Sequence, residues 1–216
     1  MCEGKRLPFQ SKPEHTYGSW EQRMNGLQTR LLFMYQRCRI AKFRFLSGCS
    51  RIEGRPVLRQ PVHFLGKGTI RFNGRVDLGF FPSPFFLSGY IHLEARSEDS
   101  VIQLEDGVHM NNNVVLVSDG AGIFIGKGSM LGTHCEIIDS DFHDLHPERR
   151  KSGVGKSAKV EIGENVLIGS NVKILKGVKI GNNAVIANGA VVTRSVPENA
   201  MAFGNPARAG FGLVQE

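Results

Sequence analysis

The residues best suited to chemistry lie in one polar run, 139–159, which reads DSDFHDLHPERRKSGVGKSAK. It holds two histidines three positions apart, His143 and His146. An imidazole titrates near neutrality, so either one can hold a free base at cellular pH and still accept a proton from a reacting group. The same side chains serve equally well as solvated loop surface, and Pro147 beside His146 favours a structural turn there. The cysteines Cys2, Cys38, Cys49 and Cys135 are dispersed, with no CxxC pair. They read as ordinary thiols of a reducing compartment rather than as a disulfide framework. A zinc site would need three converging histidines, and the trio on offer, His109, His134 and His143, lacks an ordered ligand spacing, so no metal is expected.

A polar loop needs a rigid frame, and the frame is written in the last third of the chain. Apolar residues recur every six positions, at Ile162, Ile168, Ile174, Ile180, Ile186 and Val192. A second series runs four behind, at Val166, Val172, Val178, Ala184, Ala190 and Val196. A period of six matches neither an α-helix nor an isolated strand. It fits an all-β solenoid in which each hexapeptide supplies a short strand and a turn, so that 18 residues close a triangular coil. Gly, Asn and Asp near the corners tolerate the left-handed backbone of a tight turn. The beat continues upstream with less regularity through Leu104, Met110 and Leu116, then Ile125, Leu131 and Ile137, and Leu65–Gly68 reads as an earlier turn. The solenoid is thus expected over about 60–200, broken at 117–124 and at 139–159. Long loops on rigid frames commonly carry function.

Charge narrows the partners. The formal net charge is +7, yet residues 1–60 hold twelve Lys and Arg against four Glu, while the other 156 residues nearly balance. Basic character therefore belongs to an appendage, and a nucleic-acid partner is not expected. No signal peptide and no apolar run of membrane-spanning length is present, which implies a cytoplasmic location.

The His-bearing loop, the repeat and the closing run 191–208, VVTRSVPENAMAFGNPAR, occur in the order found in the hexapeptide-repeat acyltransferases, and the sequence resembles that family over roughly 100–210. The likeness is greatest to galactoside and maltose O-acetyltransferases and to sugar O-acetyltransferases of surface-polysaccharide clusters. The resemblance, not the periodicity, implies a left-handed parallel β-helix, since right-handed crossovers are the general default. It also implies an acetyl-CoA-dependent O-acetyltransferase acting on a saccharide hydroxyl by direct transfer, with His143 of the His143–Glu148 motif as general base. Asn111 and Asp119, eight residues apart, match positions that contact the acceptor. Ser170, Ala187 and Thr193 match positions along the pantetheine arm of the CoA, and Arg194 and Arg208 are placed to meet its phosphates, which suit paired guanidinium donors. The family forms homotrimers with sites between subunits, so a homotrimer is implied. Two departures stand out: Leu167 where many members carry Trp, and Asn188 where Gly or Ala is more frequent. N-acetylation of a nucleotide-activated amino sugar and a non-enzymatic or metal-binding solenoid remain the alternatives.

The expected organisation is a basic N-terminal segment over 1–60, a β-helix domain over 61–208 and a tail over 209–216. Within the first, Trp20–Phe45 reads as a basic amphipathic helix, with apolar residues at 27, 31, 34 and 38 and arginines between. It either caps the first coil, as solenoid ends require, or contacts anionic lipid peripherally; capping is favoured because Phe43, Phe45 and Leu46 look like core. The aromatic, proline-broken stretch 72–99 gives no clear reading: an interface loop, an acceptor-facing loop or irregular packing.

Overall fold

The structure is a computed structural model that describes residues 26–213; Cys2, the first residues of the expected basic helix (20–25) and the end of the expected tail (214–216) lie outside them. The chain divides into two units, 1–35 and 36–216. Helix α1 (Gly26–Leu46) begins in the first and ends in the second. Its sequence after Gly26 contains no Pro or Gly and is rich in Leu, Gln, Arg and Met, all good helix formers. No helix among the described residues is long and apolar enough to cross a membrane.

Six coils follow α1. They are β1 (Arg51–Glu53), β2 (Val57–Leu58) and β3 (Val62–Leu65); β4 (Thr69–Phe72), β5 (Asp77–Leu78) and β6 (Ile91–Ala95); β7 (Val101–Leu104), β8 (His109–Met110) and β9 (Val115–Ser118). The second three are β10 (Ile123–Ile125), β11 (Met130–Leu131) and β12 (Glu136–Ile138); β13 (Val160–Ile162), β14 (Leu167–Ile168) and β15 (Lys173–Ile174); β16 (Lys179–Ile180), β17 (Val185–Ile186) and β18 (Val191–Val192). First, second and third strands of every coil stack into three parallel sheets, here sheets 1, 2 and 3. A last strand, β19 (Ala200–Gly204), continues sheet 2, and β20 (Ala207–Gly212) folds back on it antiparallel, so the expected tail begins inside a strand. The first coil begins at Arg51, ahead of the expected boundary at 60/61.

Sequence period becomes packing directly. Ile168, Ile174, Ile180, Ile186 and Val192 are at most 1% exposed and stack in register on their neighbours one coil away. The four-behind series, Val166 to Val196, is also buried. Each Val or Ile side chain so removed from water stabilises the fold by about 2 kcal/mol. At the edge between sheets 1 and 2, Asn165, Asn183 and Asn199 take positive φ of 53–58°. Their side chains form a ladder, Asn165 Nδ2 donating to Asn183 Oδ1 at 2.9 Å and Asn183 Nδ2 to Asn199 Oδ1 at 3.0 Å. The irregular upstream series is equally inward: Leu104, Met110, Leu116, Ile125, Leu131 and Ile137 are at most 2% exposed.

Two long insertions leave this frame, each at a different edge. Residues 79–90 leave at the edge between sheets 2 and 3, and 139–159 at the edge between sheets 3 and 1. The unreadable aromatic stretch is largely the first of these. It is held by buried amides: Asn112 accepts from the Phe80 N–H and donates to the carbonyls of Phe80 and Pro84, and Gln60 Nε2 donates to Phe85 O at 2.8 Å. The second half of α1 joins it, through Gln36 and Arg39 donating to Phe86 O and Phe43 stacking on Tyr90 at 4.8 Å between centroids.

Candidate active site

The 3–1 edge is built around one buried carboxylate. Asp139, fully buried, follows β12 on the inward phase, where the pattern calls for an aliphatic residue. It accepts four hydrogen bonds: from Asp119 N at 2.6 Å on Oδ1, and from Ser118 Oγ (2.7 Å), Ala121 N (3.1 Å) and Gly122 N (2.6 Å) on Oδ2. A buried charge is tolerated only when so fully satisfied. The result pins the corner after β9 to the root of the long loop. Gly122 stands at φ 101°, where a Cβ would press on the Phe124 ring at 2.7 Å, so the corner requires glycine.

The loop itself is closed as a hairpin. Ser140 bridges Ser157 antiparallel, Ala158 N donates to Asp139 O at 2.8 Å, and Asp141 N to Lys156 O at 3.0 Å. At its tip Phe142 sits at φ 61° while His143 N donates to Asp141 O at 2.7 Å, a three-residue reversal that sets the direction of His143. Gly155 permits it, since a Cβ there would lie 2.6 Å from Phe142 N and 2.7 Å from His143 N. Beyond His143, Asp144 accepts from His146 N and from Arg149 Nε, both at 2.8 Å. Those bonds, the His146 amide first, hold its carboxyl below the usual carboxylate range. His146 is thus the residue before a short 3-10 turn, Pro147–Arg149, in keeping with its expected turn role.

His143 is exposed and Asp119 half-buried, on the same edge. Arg96, which sequence reading passed over, lies between Asp119 and Phe142, the residue before His143. Its guanidinium lies over the Phe142 ring, 4.6 Å from the centroid, donates through Nε to Glu94 Oε1 at 2.7 Å, and approaches Asp119 Oδ2 to 3.8 Å through Nη1. The Glu94 bond raises the Arg96 pKa further. Burial pushes Glu94 up, but the Arg96 and His92 hydrogen bonds outweigh it and keep Glu94 lowered. The signal was present in sequence: His92 and Glu94 on the outward phase of β6, and Arg96 just after it, alternate with buried residues. Asp139 was equally signalled, as a carboxylate on an inward phase.

The remaining candidates fall on two edges. Thr193, Arg194 and Arg208 line one groove of about 370 Å³ with Pro206. Asn111, Ser170 and Ala187 lie instead at the 2–3 edge. There Asn111 Nδ2 donates to Ser83 Oγ at 3.0 Å, and Ser170 Oγ accepts from Thr133 Oγ1 at 3.1 Å. Asn188, the unusual residue, accepts from Ser170 N at 2.7 Å and so braces this corner. Leu167, also unusual, stands 44% exposed on the outer face of sheet 2. Within one chain Asn111 and Asp119 are not brought together: they flank β9, whose four residues alone span roughly 13 Å at about 3.3 Å each. The histidine trio is dispersed too. His109 lies on sheet 2 against Phe80, His134 takes a 2–3 corner at φ 58° against Phe85, and His143 is on the 3–1 edge. Among the described residues no group of three or more His, Cys, Asp or Glu is placed to hold a metal.

Residues 159–194 match the bacterial transferase hexapeptide model, which comprises six repeats. The chain is 43% identical over 100 residues to a galactoside O-acetyltransferase of Lactococcus lactis, covering 46% of this chain and 47% of that protein. It is also 43% identical over 100 residues to nodulation protein L of Rhizobium meliloti, covering 46% and 54%. The chain thus spans about half the length of the curated relatives it matches. Among solved structures, a hexapeptide-repeat containing acetyltransferase of Vibrio cholerae aligns with a TM-score of 0.54 at 26% identity over 87% of this chain and 89% of that one. Repeat, three-sheet coil and this solved structure together show a left-handed parallel β-helix with an N-terminal helix, similar to the hexapeptide-repeat acetyltransferases.

Proposed function

We propose that the protein is an acetyl-CoA-dependent O-acetyltransferase acting on a sugar or saccharide hydroxyl in surface-polysaccharide assembly, in the cytoplasm, with His143 as general base. The observation that carries the reading is the 3–1 edge, where a satisfied buried carboxylate, Asp139, fixes both Asp119 and the root of the His143 loop. Asp119 orients an acceptor hydroxyl by accepting its hydrogen bond, and Arg96 fixes Asp119 in turn. His143 takes the hydroxyl proton as the oxygen attacks the thioester carbonyl. The C–S bond then breaks, and the proton leaves with the CoA thiol. Fixing acceptor and donor in one geometry supplies much of the rate, and the histidine about 10²–10⁴-fold more.

The donor fits the groove of Thr193, Arg194 and Arg208, where two guanidinium groups suit the phosphates of CoA. Ser170 and Ala187, on the other edge, would meet its pantetheine arm. That division supports a homotrimer in which the 2–3 edge of one subunit, bearing Asn111, Ser170 and Ala187, faces the 3–1 edge of the next, bearing Asp119, His143 and Thr193.

The test is release of free thiol from acetyl-CoA with a panel of sugars and nucleotide-activated amino sugars. Turnover with neutral sugars is expected, and exclusive turnover of amino sugars would transfer the assignment to N-acetylation. His143→Ala should lose at least about 10²-fold in kcat while acetyl-CoA binding persists; activity within about tenfold of the parent refutes the base. Light scattering should give three subunits, and a monomer would contradict the shared site.

A further inference from the structure

Among the described residues nothing seals the first coil of the β-helix. Ile52, Leu58 and Phe64, which continue the core columns, open onto a groove of about 1050 Å³ whose other wall is one face of α1, including Arg37, Ile40 and Arg44. The adjacent face of the same helix, Gln36, Arg39 and Phe43, is spent on the 79–90 insertion, so α1 lies beside the coil end without closing it. At the end of α1 beside this groove, Phe45 and Leu46, expected as core, are instead exposed, Phe45 by 88% and Leu46 by 51%.

Among the described residues the charge around this groove is strongly positive. Residues 36–59 carry seven Lys and Arg and a single acid, Glu53, which is already paired with Arg71. Arg59 pairs with Asp77 and Arg51 reaches the Glu98 carbonyl, whereas Arg37, Lys42, Arg44 and Arg55 make no ion pair among the described residues. Cationic groups around exposed aromatic and aliphatic side chains are the two halves of an interfacial lipid site, where acidic headgroups meet the cations and the apolar groups enter the acyl boundary. A polyanion such as nucleic acid would engage the arginines and leave Phe45 and Leu46 in water.

We infer that this end of the β-helix docks on an anionic lipid bilayer, with Arg37, Arg44 and Arg55 on the headgroups and Phe45 inserted below them. Full-length protein should float with vesicles of phosphatidylcholine mixed with phosphatidylglycerol, and remain behind with phosphatidylcholine alone. Joint Arg44→Glu and Arg55→Glu substitution should weaken binding more than about 20-fold. Phe45→Ala should weaken it about tenfold, leaving thermal unfolding and acetyl transfer to a soluble acceptor unchanged. Cys49, which also lines the groove, gives a second reading: its alkylation, followed by mass spectrometry, should be slowed by the anionic vesicles and not by phosphatidylcholine alone. No flotation with anionic vesicles overturns the inference. So does binding indifferent to Phe45, which would mark a polyanion site. Cys49 alkylated at the same rate with and without anionic vesicles also overturns it, since the groove would then stay open to solvent.

Discussion

The two halves of the β-helix solve the same packing problem by different means. Coils five and six, from β13 to β18, are closed by short corners, aliphatic columns and an asparagine ladder, with no residue to spare. Coils two to four carry the insertions at 79–90 and 139–159, and here buried polar side chains, Asn112 and Asp139 with Gln60 of coil one, take over at the corners. The regular half is a frame that any well-chosen aliphatic set would make. The irregular half rests its stability on a few buried, hydrogen-bonded polar groups, and those groups stand where the two insertions leave the frame, Asp139 at the root of the His143 loop.

Asp139→Ala should expose that difference most strongly. It leaves the amides of Asp119, Ala121 and Gly122 buried without their acceptor, at an expected cost of about 4 kcal/mol in chemical denaturation. Acetyl transfer should fall further than stability accounts for, because the His143 loop loses its root. Asp139→Asn keeps the shape and part of the acceptor capacity, so it should recover most of the stability. Equal damage from both substitutions would mean that charge, not connectivity, holds the corner.

This contrast also explains what was legible beforehand. The inward residues Ile162 to Val192 could be assigned because one property, aliphatic character, repeats at one interval. The loop at 139–159 was legible by its interruption of that interval, and Asn111, Asp119 and His143 only through family resemblance. Arg96 and Asp139 were missed because their roles depend on partners from other coils: Arg96 meets Phe142 46 positions away, and Asp139 meets Ser118 and Gly122. The 79–90 insertion escaped for the same reason, its order coming from Gln36, Gln60 and Asn112 rather than from its own sequence. The division of the candidate site between two edges could not be read at all, since a linear spacing of eight residues says nothing about which corner each occupies.

In the regular half the largest effect should come from a column. Ile168→Ala removes a side chain 1% exposed between Leu131 and Ile186, and should cost about 3 kcal/mol with little change in kcat for the remaining folded enzyme. The ladder should matter less. Asn183→Ala loses two side-chain hydrogen bonds and puts a Cβ residue at φ 58°, for about 1 kcal/mol; Asn183→Gly should recover the conformational part. If glycine is no better than alanine, the ladder bonds, and not the backbone, are what asparagine supplies there.

Acid should separate the halves most gently. Coils five and six contain no histidine, whereas coil three carries His109 on β8, in register between Asp77 and Met130 and edge-on to Phe80. Burial, with Arg59 adding to it and Asp77 opposing, lowers the His109 pKa below its ordinary 6.5. The folded state therefore favours the neutral ring, and the unfolded chain binds the proton first as pH falls. The contribution of His109 is fully present above pH 6.5 and is lost as pH drops through 6.5 towards the lowered value. The Tm should accordingly decline between pH 7 and pH 5.5, as about one proton of differential binding requires. His109→Gln should flatten that part of the slope; a slope identical to the parent's would place the acid sensitivity elsewhere.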